Sequence, residues 1–116
     1  MKKLGIRLLL VSVTAMLLLP AFFADMPETE ALSKLEAHLV ELGYFGPGLT
    51  GPEDPGEAFC FSGVSSRSIQ GVRVYSAQVR WAGGPMDGRL LMTLAVSTDG
   101  ARYFEYNPAE DVWTEI

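Results

Sequence analysis

Residues 90–107 read Leu90-Leu91-Met92-Thr93-Leu94-Ala95-Val96-Ser97-Thr98-Asp99-Gly100-Ala101-Arg102-Tyr103-Phe104-Glu105-Tyr106-Asn107, and this stretch decides the fold. Leu90, Met92, Leu94 and Val96 alternate with Leu91, Thr93 and Ala95, the two-residue period of a strand whose side chains point to opposite faces. Asp99-Gly100 is a pair suited to positive backbone angles and predicts a tight hairpin. The chain then returns as an antiparallel neighbour, with Phe104 and Tyr106 on one face. Asn107-Pro108 ends that strand, and residues 112–116 can add a short edge strand whose Trp113 covers the core.

Moving toward the N-terminus, Tyr75, Ala77, Val79 and Trp81 alternate with Ser76, Gln78 and Arg80, and Phe59 and Phe61 alternate with Cys60 and Ser62. Three turn signals therefore divide residues 58–107 into four strands. Residues 43–57 hold Gly46, Pro47, Gly48, Gly51, Pro52, Pro55 and Gly56, a density of helix and strand breakers that predicts a surface connection. No GxxxxGK[ST] pattern accompanies these glycines, so they are not a phosphate-cradling loop. Further upstream, Leu32, Leu35, Leu39 and Leu42 recur at spacings of three, four and three, one face of a helix. Glu28 and Glu30 suit its positive end, and Gly43 is placed to stop it.

A sheet with one apolar face has to bury that face, and the leucine stripe is the surface available to cover it. The expected architecture is α+β: one N-terminal helix packed on a four-stranded antiparallel β-meander, within a single small domain over residues 25–116. Residues 1–24 have the form of a secretory signal, with Lys2, Lys3 and Arg7 ahead of an apolar run from Leu8 through Leu19. Cleavage is expected after Ala24 or Ala21, although Phe22 is bulky at the third position before the first of these. Uncut, residues 8–24 lie at the short end of the roughly 17 to 25 residues that cross a bilayer as a helix. The alternative to a signal peptide is therefore a single-pass anchor.

The chain's net charge of −5 conceals a division. All fourteen acids follow residue 24 while three of the nine bases precede it, which leaves residues 25–116 at −8. Nucleic acid is excluded as an expected partner, because binding it depends on clustered Lys and Arg. The remaining bases are scattered, so membrane contact is expected only through residues 1–24.

Cys60 is the only cysteine, so no intramolecular disulfide forms, and it is expected to behave as a small buried apolar side chain. His38 is the only histidine and is expected on the helix surface, in a different element from Cys60. A cysteine hydrolase needs both in hydrogen-bond contact with an orienting group, and a zinc site needs three or four ligands, so neither an enzyme nor zinc is expected. Glu53, Asp54 and Glu57, and separately Glu110 and Asp111, lack the spacing of a calcium loop, and no cofactor is expected. Arg73, Gln78, Arg80 and Tyr103 on the polar sheet face form the candidate partner-binding surface. The sheet's unpaired edges offer a protein partner or extended peptide a second place to attach.

Helix, Gly/Pro connection, then strands ending in the run from Ser97 to Pro108 and Val112-Trp113 resemble a group of small exported proteins of Firmicutes-type bacteria. The layout is also similar to PepSY-like domains, in which a helix precedes an antiparallel sheet and the last strand enters a D-x-x-T-G-like turn. Here Asn107-Pro108-Ala109-Glu110-Asp111 stands at that turn, without its glycine. The resemblance implies a non-catalytic envelope domain, in some relatives protease-inhibiting or regulatory. The resulting expectation is a non-enzymatic exported binding or regulatory module of the bacterial cell envelope, acting by protein contact, either extracellular or held in the envelope. The alternative is a membrane-tethered structural envelope protein that keeps its N-terminal helix.

Overall fold

A computed structural model describes residues 25–116, so the expected leader or anchor at residues 1–24 lies outside the described residues. The first element of the described residues is a helix, Glu28–Glu41 (α1). Pro27 stands at its N-cap, where the missing N–H costs nothing, and Glu28 and Glu30 occupy the first turn. At the other end the Tyr44 N–H donates to Leu39 O at 2.9 Å and the Gly43 N–H donates to Val40 O at 3.0 Å, with Gly43 at φ 81. Those two bonds are the Schellman pattern that satisfies the last carbonyls. The buried stripe is Ala31, Leu35 and Leu39. Leu42 lies at the C-cap, past the last full turn, and is 44% exposed.

The connection after α1 contributes to the core as well as joining two elements. Phe45 and Leu49 are buried, Gly46 and Thr50 pair as an isolated bridge, and the Phe59 N–H donates to Leu49 O at 2.9 Å. Breakers around them disguise two apolar anchors.

Five strands follow: Phe59–Ile69 (β1), Val72–Trp81 (β2), Leu90–Ser97 (β3), Tyr103–Asn107 (β4) and Val112–Glu115 (β5). They form one sheet in the order β1-β2-β3-β4-β5, every neighbouring pair antiparallel. The expected four-stranded meander is thus a five-stranded one, because the short edge segment at Val112–Glu115 pairs fully along β4. β1 also runs on beyond Ser62. A register shift between Ser62 and Ser65 breaks its alternation, after which its serine-rich half pairs with the start of β2. Gln70 and Gly71 close that hairpin with φ of 51 and 81, the two positive angles of a type I′ turn.

At Asp99-Gly100, only Gly100 takes a positive angle, at φ 74. Ser97 explains the difference: its hydroxyl oxygen accepts the N–H groups of Ala101 and Arg102 at 3.1 and 2.9 Å. The same hydroxyl donates to Asp99 at 2.6 Å. These side-chain bonds open the tight turn into a longer loop closed by Ser97 N–H to Arg102 O at 2.8 Å.

Both faces of the sheet carry apolar residues. Phe59, Val79, Leu94 and Val96 pack with Ala31, Leu35, Leu39, Phe45 and Leu49 under α1. Register pairs Ala95 with Phe104, and on the face away from α1 these two join Ile69 and Val74 in a second cluster flanked by Val72 and Trp113. Among the described residues no helix covers that face. Instead the far half of β1 curls over it, so that the Gln70 amide donates to Trp113 O at 3.2 Å and the Arg67 guanidinium sits 5.3 Å from the Trp113 ring centre. The first and last strands of the sheet meet across its concave side.

Candidate functional site

The four residues expected to form one polar face are divided between two. Gln78 and Arg80 share the side of β2 that carries Val74, away from α1. Arg80 donates to Gln78 Oε1 at 2.7 Å, to Ser62 Oγ at 3.2 Å and to Gly88 O at 2.9 Å, which commits its guanidinium to neutral acceptors. Arg73 projects to the other side and forms a 3.1 Å ion pair with Asp25. Tyr103 lies opposite Val96, facing α1, where its ring stacks on His38 at 4.0 Å and 12°. Its hydroxyl donates to Gly100 O at 3.0 Å, and burial, aided by the charge of Glu41, raises its pKa.

His38 is therefore half-buried beside Tyr103, with Nε2 3.2 Å from Ile116 O. Cys60, expected to be buried, is exposed, because it alternates with Phe59 and Phe61 and those two rings take the helix side. The sheet lies between His38 and Cys60. Among the described residues, no three His, Cys, Asp or Glu side chains gather as metal ligands, and no helix is long and apolar enough to cross a membrane.

On the concave face, Arg67, Gln78, Thr93, Tyr106, Asp111 and Trp113 enclose a cleft of about 310 Å³. Tyr106 and Trp113 meet with ring centres 5.1 Å apart and planes at 47°, an angled aromatic corner. The Tyr106 hydroxyl donates to Asp111 at 2.6 Å, and that bond, with burial and the Asp111 charge, raises the tyrosine pKa against the opposing pull of Arg67. Asp111 sits at φ 54 in the turn between β4 and β5, which directs its carboxylate at the corner. Of these six, only Gln78 stood among the expected site residues. The alternation of Phe104 and Tyr106 together with Trp113 is a sequence signal for two of the others, Tyr106 and Trp113, and for none of Arg67, Thr93 and Asp111.

The edges of the sheet differ in how they are protected. The outer edge of β1 is polar over its far half, with Ser65, Ser66, Arg67 and Ser68, and carries a bulge. β5 has four residues, and its Glu115 is held by Arg102 through bonds of 3.0 and 2.8 Å. The start of β3 carries a bulge, but it has no charged side chain and no run of polar ones, and it is not short. It pairs with β2 from Leu90 onward but with β4 only from Leu94 to Val96, so residues 90–93 have a strand partner on one side alone among the described residues. The Ser97 N–H points toward β4, and the two-residue period turns the N–H of Thr93 the same way, beyond the last β4 pair, Leu94 with Glu105. Leu91 is the extra residue of a bulge opposite Val79 and Arg80, and Leu90 and Leu91 are 51% and 41% exposed. A groove of about 290 Å³ lies there, lined by Leu90, Leu91, Met92, Thr93, Glu105, Tyr106 and Pro108.

A larger hollow of about 510 Å³ beside Trp81, Pro85 and Met86 has Glu57 as its one charged side chain and is otherwise glycine, alanine and apolar surface. No protein-family model, curated protein or solved structure matches this chain at a significant level.

Proposed function

We propose that this domain is a non-enzymatic, exported binding module of regulatory type, which takes an extended segment of a partner protein onto the free edge of β3. The uncharged apolar start of that strand, Leu90 to Met92, carries the reading. Proteins blunt exposed edges with charge, polar side chains, bulges or brevity; β1 and β5 combine two of these, whereas the start of β3 has its bulge alone beside exposed leucines, which suits it to strand addition.

Magnitudes define the kind of segment. Each added backbone hydrogen bond is worth about 0.5–1.5 kcal/mol net, whereas ordering each residue of the incoming chain costs about 1–2 kcal/mol. Backbone pairing alone does not hold the segment. Burial of apolar surface, at about 25 cal/mol per Å², has to supply the surplus, so the partner segment presents apolar side chains to Leu90, Leu91 and Met92. The layout resembling PepSY-like domains, some of which inhibit proteases, supports the regulatory form of this reading.

Selection of displayed extended peptides against the protein is expected to enrich sequences with apolar residues at alternate positions. Leu91→Lys is expected to weaken their binding at least tenfold. Thr93→Pro removes an N–H that points off the edge, leaves the β2 ladder intact, and is expected to weaken binding likewise. Peptides that bind both variants as well as they bind the parent protein would refute the edge. Export is checked separately, by recovering the tagged chain outside the cytoplasm.

A further inference from the structure

β3 and β4 part beyond their last pair, Leu94 with Glu105, and Glu105 stands where they separate. Residues directly opposite each other share a face, and Leu94 belongs to the helix-covered core, so the Glu105 side chain lies on the helix side. There the hydroxyl of Tyr44, in the connection after α1, donates to Glu105 Oε1 at 3.0 Å. A carboxylate has about four acceptor sites, and this bond uses one. Tyr44 is a neutral donor, so it directs the half-buried carboxylate without balancing its charge. No base does so either: the salt bridges among the described residues are Arg73 with Asp25 and Arg102 with Glu115.

Two hollows adjoin at this residue. The groove of about 290 Å³ along residues 90–93 and a hollow of about 380 Å³ lined by Tyr44, Asn107, Thr114 and Ile116 share Glu105, Tyr106 and Pro108 as walls. Among the described residues, Glu105 is the one charged side chain lining either. Met92 also packs against the helix-side core, so a segment laid along β3 turns the residue opposite Met92 to the face of Glu105. The two positions lie about 7 Å apart along the strand direction, a separation that long side chains span. Charge decides which side chain fits. Residues 25–116 carry −8 in all, which attracts basic segments and repels acidic ones. Arg89, the base next to the groove in sequence, precedes Leu94 by five residues, about 16 Å along the strand and away from Glu105. We infer that the segment bound at the β3 edge carries a lysine or arginine opposite Met92, its stem lying along the methionine and its cation meeting Glu105. This basic residue adds the partner's chemistry to the β3 edge, and it rests on the reading of that edge as a peptide site.

Fluorescence anisotropy on the full-length chain tests this, with labelled seven-residue peptides of alternating valine and threonine whose central residue is lysine, norleucine or glutamate. The lysine peptide is expected to bind about fivefold more tightly than the norleucine peptide, as one partly exposed ion pair allows. The glutamate peptide is expected to bind most weakly. Glu105→Gln is expected to erase the preference, and Glu105→Lys to transfer it to the glutamate peptide. Glu53→Gln makes the same change in net charge at an exposed position of the connection and is expected to leave the preference in place. A preference that survives Glu105→Gln, or that falls equally with Glu53→Gln, would overturn the inference, since the overall charge of the domain would then be its cause. Equal binding of the three peptides, all weakened by Thr93→Pro, would overturn it while leaving the edge intact. Binding that Thr93→Pro does not weaken, or no binding by any of the three, would remove the edge reading and the basic residue with it.

Discussion

Leu35 and Phe104 are both fully buried, yet different parts of the chain bury them. Leu35 belongs to the helix-covered face, where a separate element lies across the strands and the connection after it adds Phe45 and Leu49. Phe104 belongs to the other face, which the sheet covers with its own first strand, bent at the Ser62/Ser65 bulge and anchored by Gln70 on Trp113. A helix can seal a face along much of its length. A curled strand seals only the part beneath it, and the rest opens as the cleft between Arg67 and Asp111. The helix face opens in turn beyond the end of α1, where Tyr44, Glu105 and Ile116 line a hollow of about 380 Å³.

The largest expected effect tests whether the second face is a core at all. Phe104→Ala is expected to destabilise the fold by about 3–5 kcal/mol, comparable to the roughly 2–5 kcal/mol expected for Leu35→Ala. Urea unfolding of the two variants gives the comparison. A Phe104→Ala cost below about 1 kcal/mol would mean that the curled strand covers nothing of consequence, and the equivalence of the faces would break.

A smaller effect is expected at the hairpin where the two faces join. Gly100 sits at φ 74, and a Cβ placed there would meet Met26 Cε and Lys34 Cδ at 2.6 and 2.7 Å. Both contacts are ends of flexible side chains and can move aside, so backbone strain dominates. Gly100→Ala is expected to cost about 1–2 kcal/mol, read from the shift in urea midpoint. A larger loss would show that Met26 and Lys34 are fixed there and that α1 depends on this turn for its seat.

How far the sequence could be read follows the same division between faces. The helix and the central strands declare themselves because each keeps one period: Leu35 and Leu39 on the helix, Val79, Leu94 and Val96 on the sheet. β1 loses its period at the bulge, and Gln70 is an uncommon residue at positive φ, so neither its length nor its hairpin is visible as a pattern. β5 is too short to show alternation, and the short edge strand expected at residues 112–116 is there as a full fifth member of the sheet. Tyr103 was legible but grouped by polarity: any hairpin about Asp99-Gly100 that pairs Ser97 with Arg102 sets Tyr103 opposite Val96, facing the helix. The cleft was harder, because Arg67 joins Thr93, Asp111 and Trp113 only through the curl of β1.

The smallest expected effect concerns Asp99 in the same hairpin. Its carboxyl is held below its ordinary pKa of 3.8, first by the Ser97 hydroxyl and then by the Ala101 N–H. With the folded value depressed, the unfolded chain binds the proton more readily in the window between the two values, so stability rises with pH there. The contribution is complete above the unfolded value and disappears as pH falls through the folded one. Asp99 is exposed, and solvent screening keeps the effect within about 0.5 kcal/mol. Asp99→Asn is therefore expected to be slightly less stable than the parent near neutral pH, with the difference vanishing in acid below 3.8. Glu115, whose pKa is also lowered, by Arg102, titrates in both proteins and cancels from the comparison. Urea midpoints measured from neutral pH into acid decide it, and a difference that stays constant with pH would assign the hairpin's rigidity to Ser97 alone, whose hydroxyl holds both Ala101 and Arg102 without help from a charge.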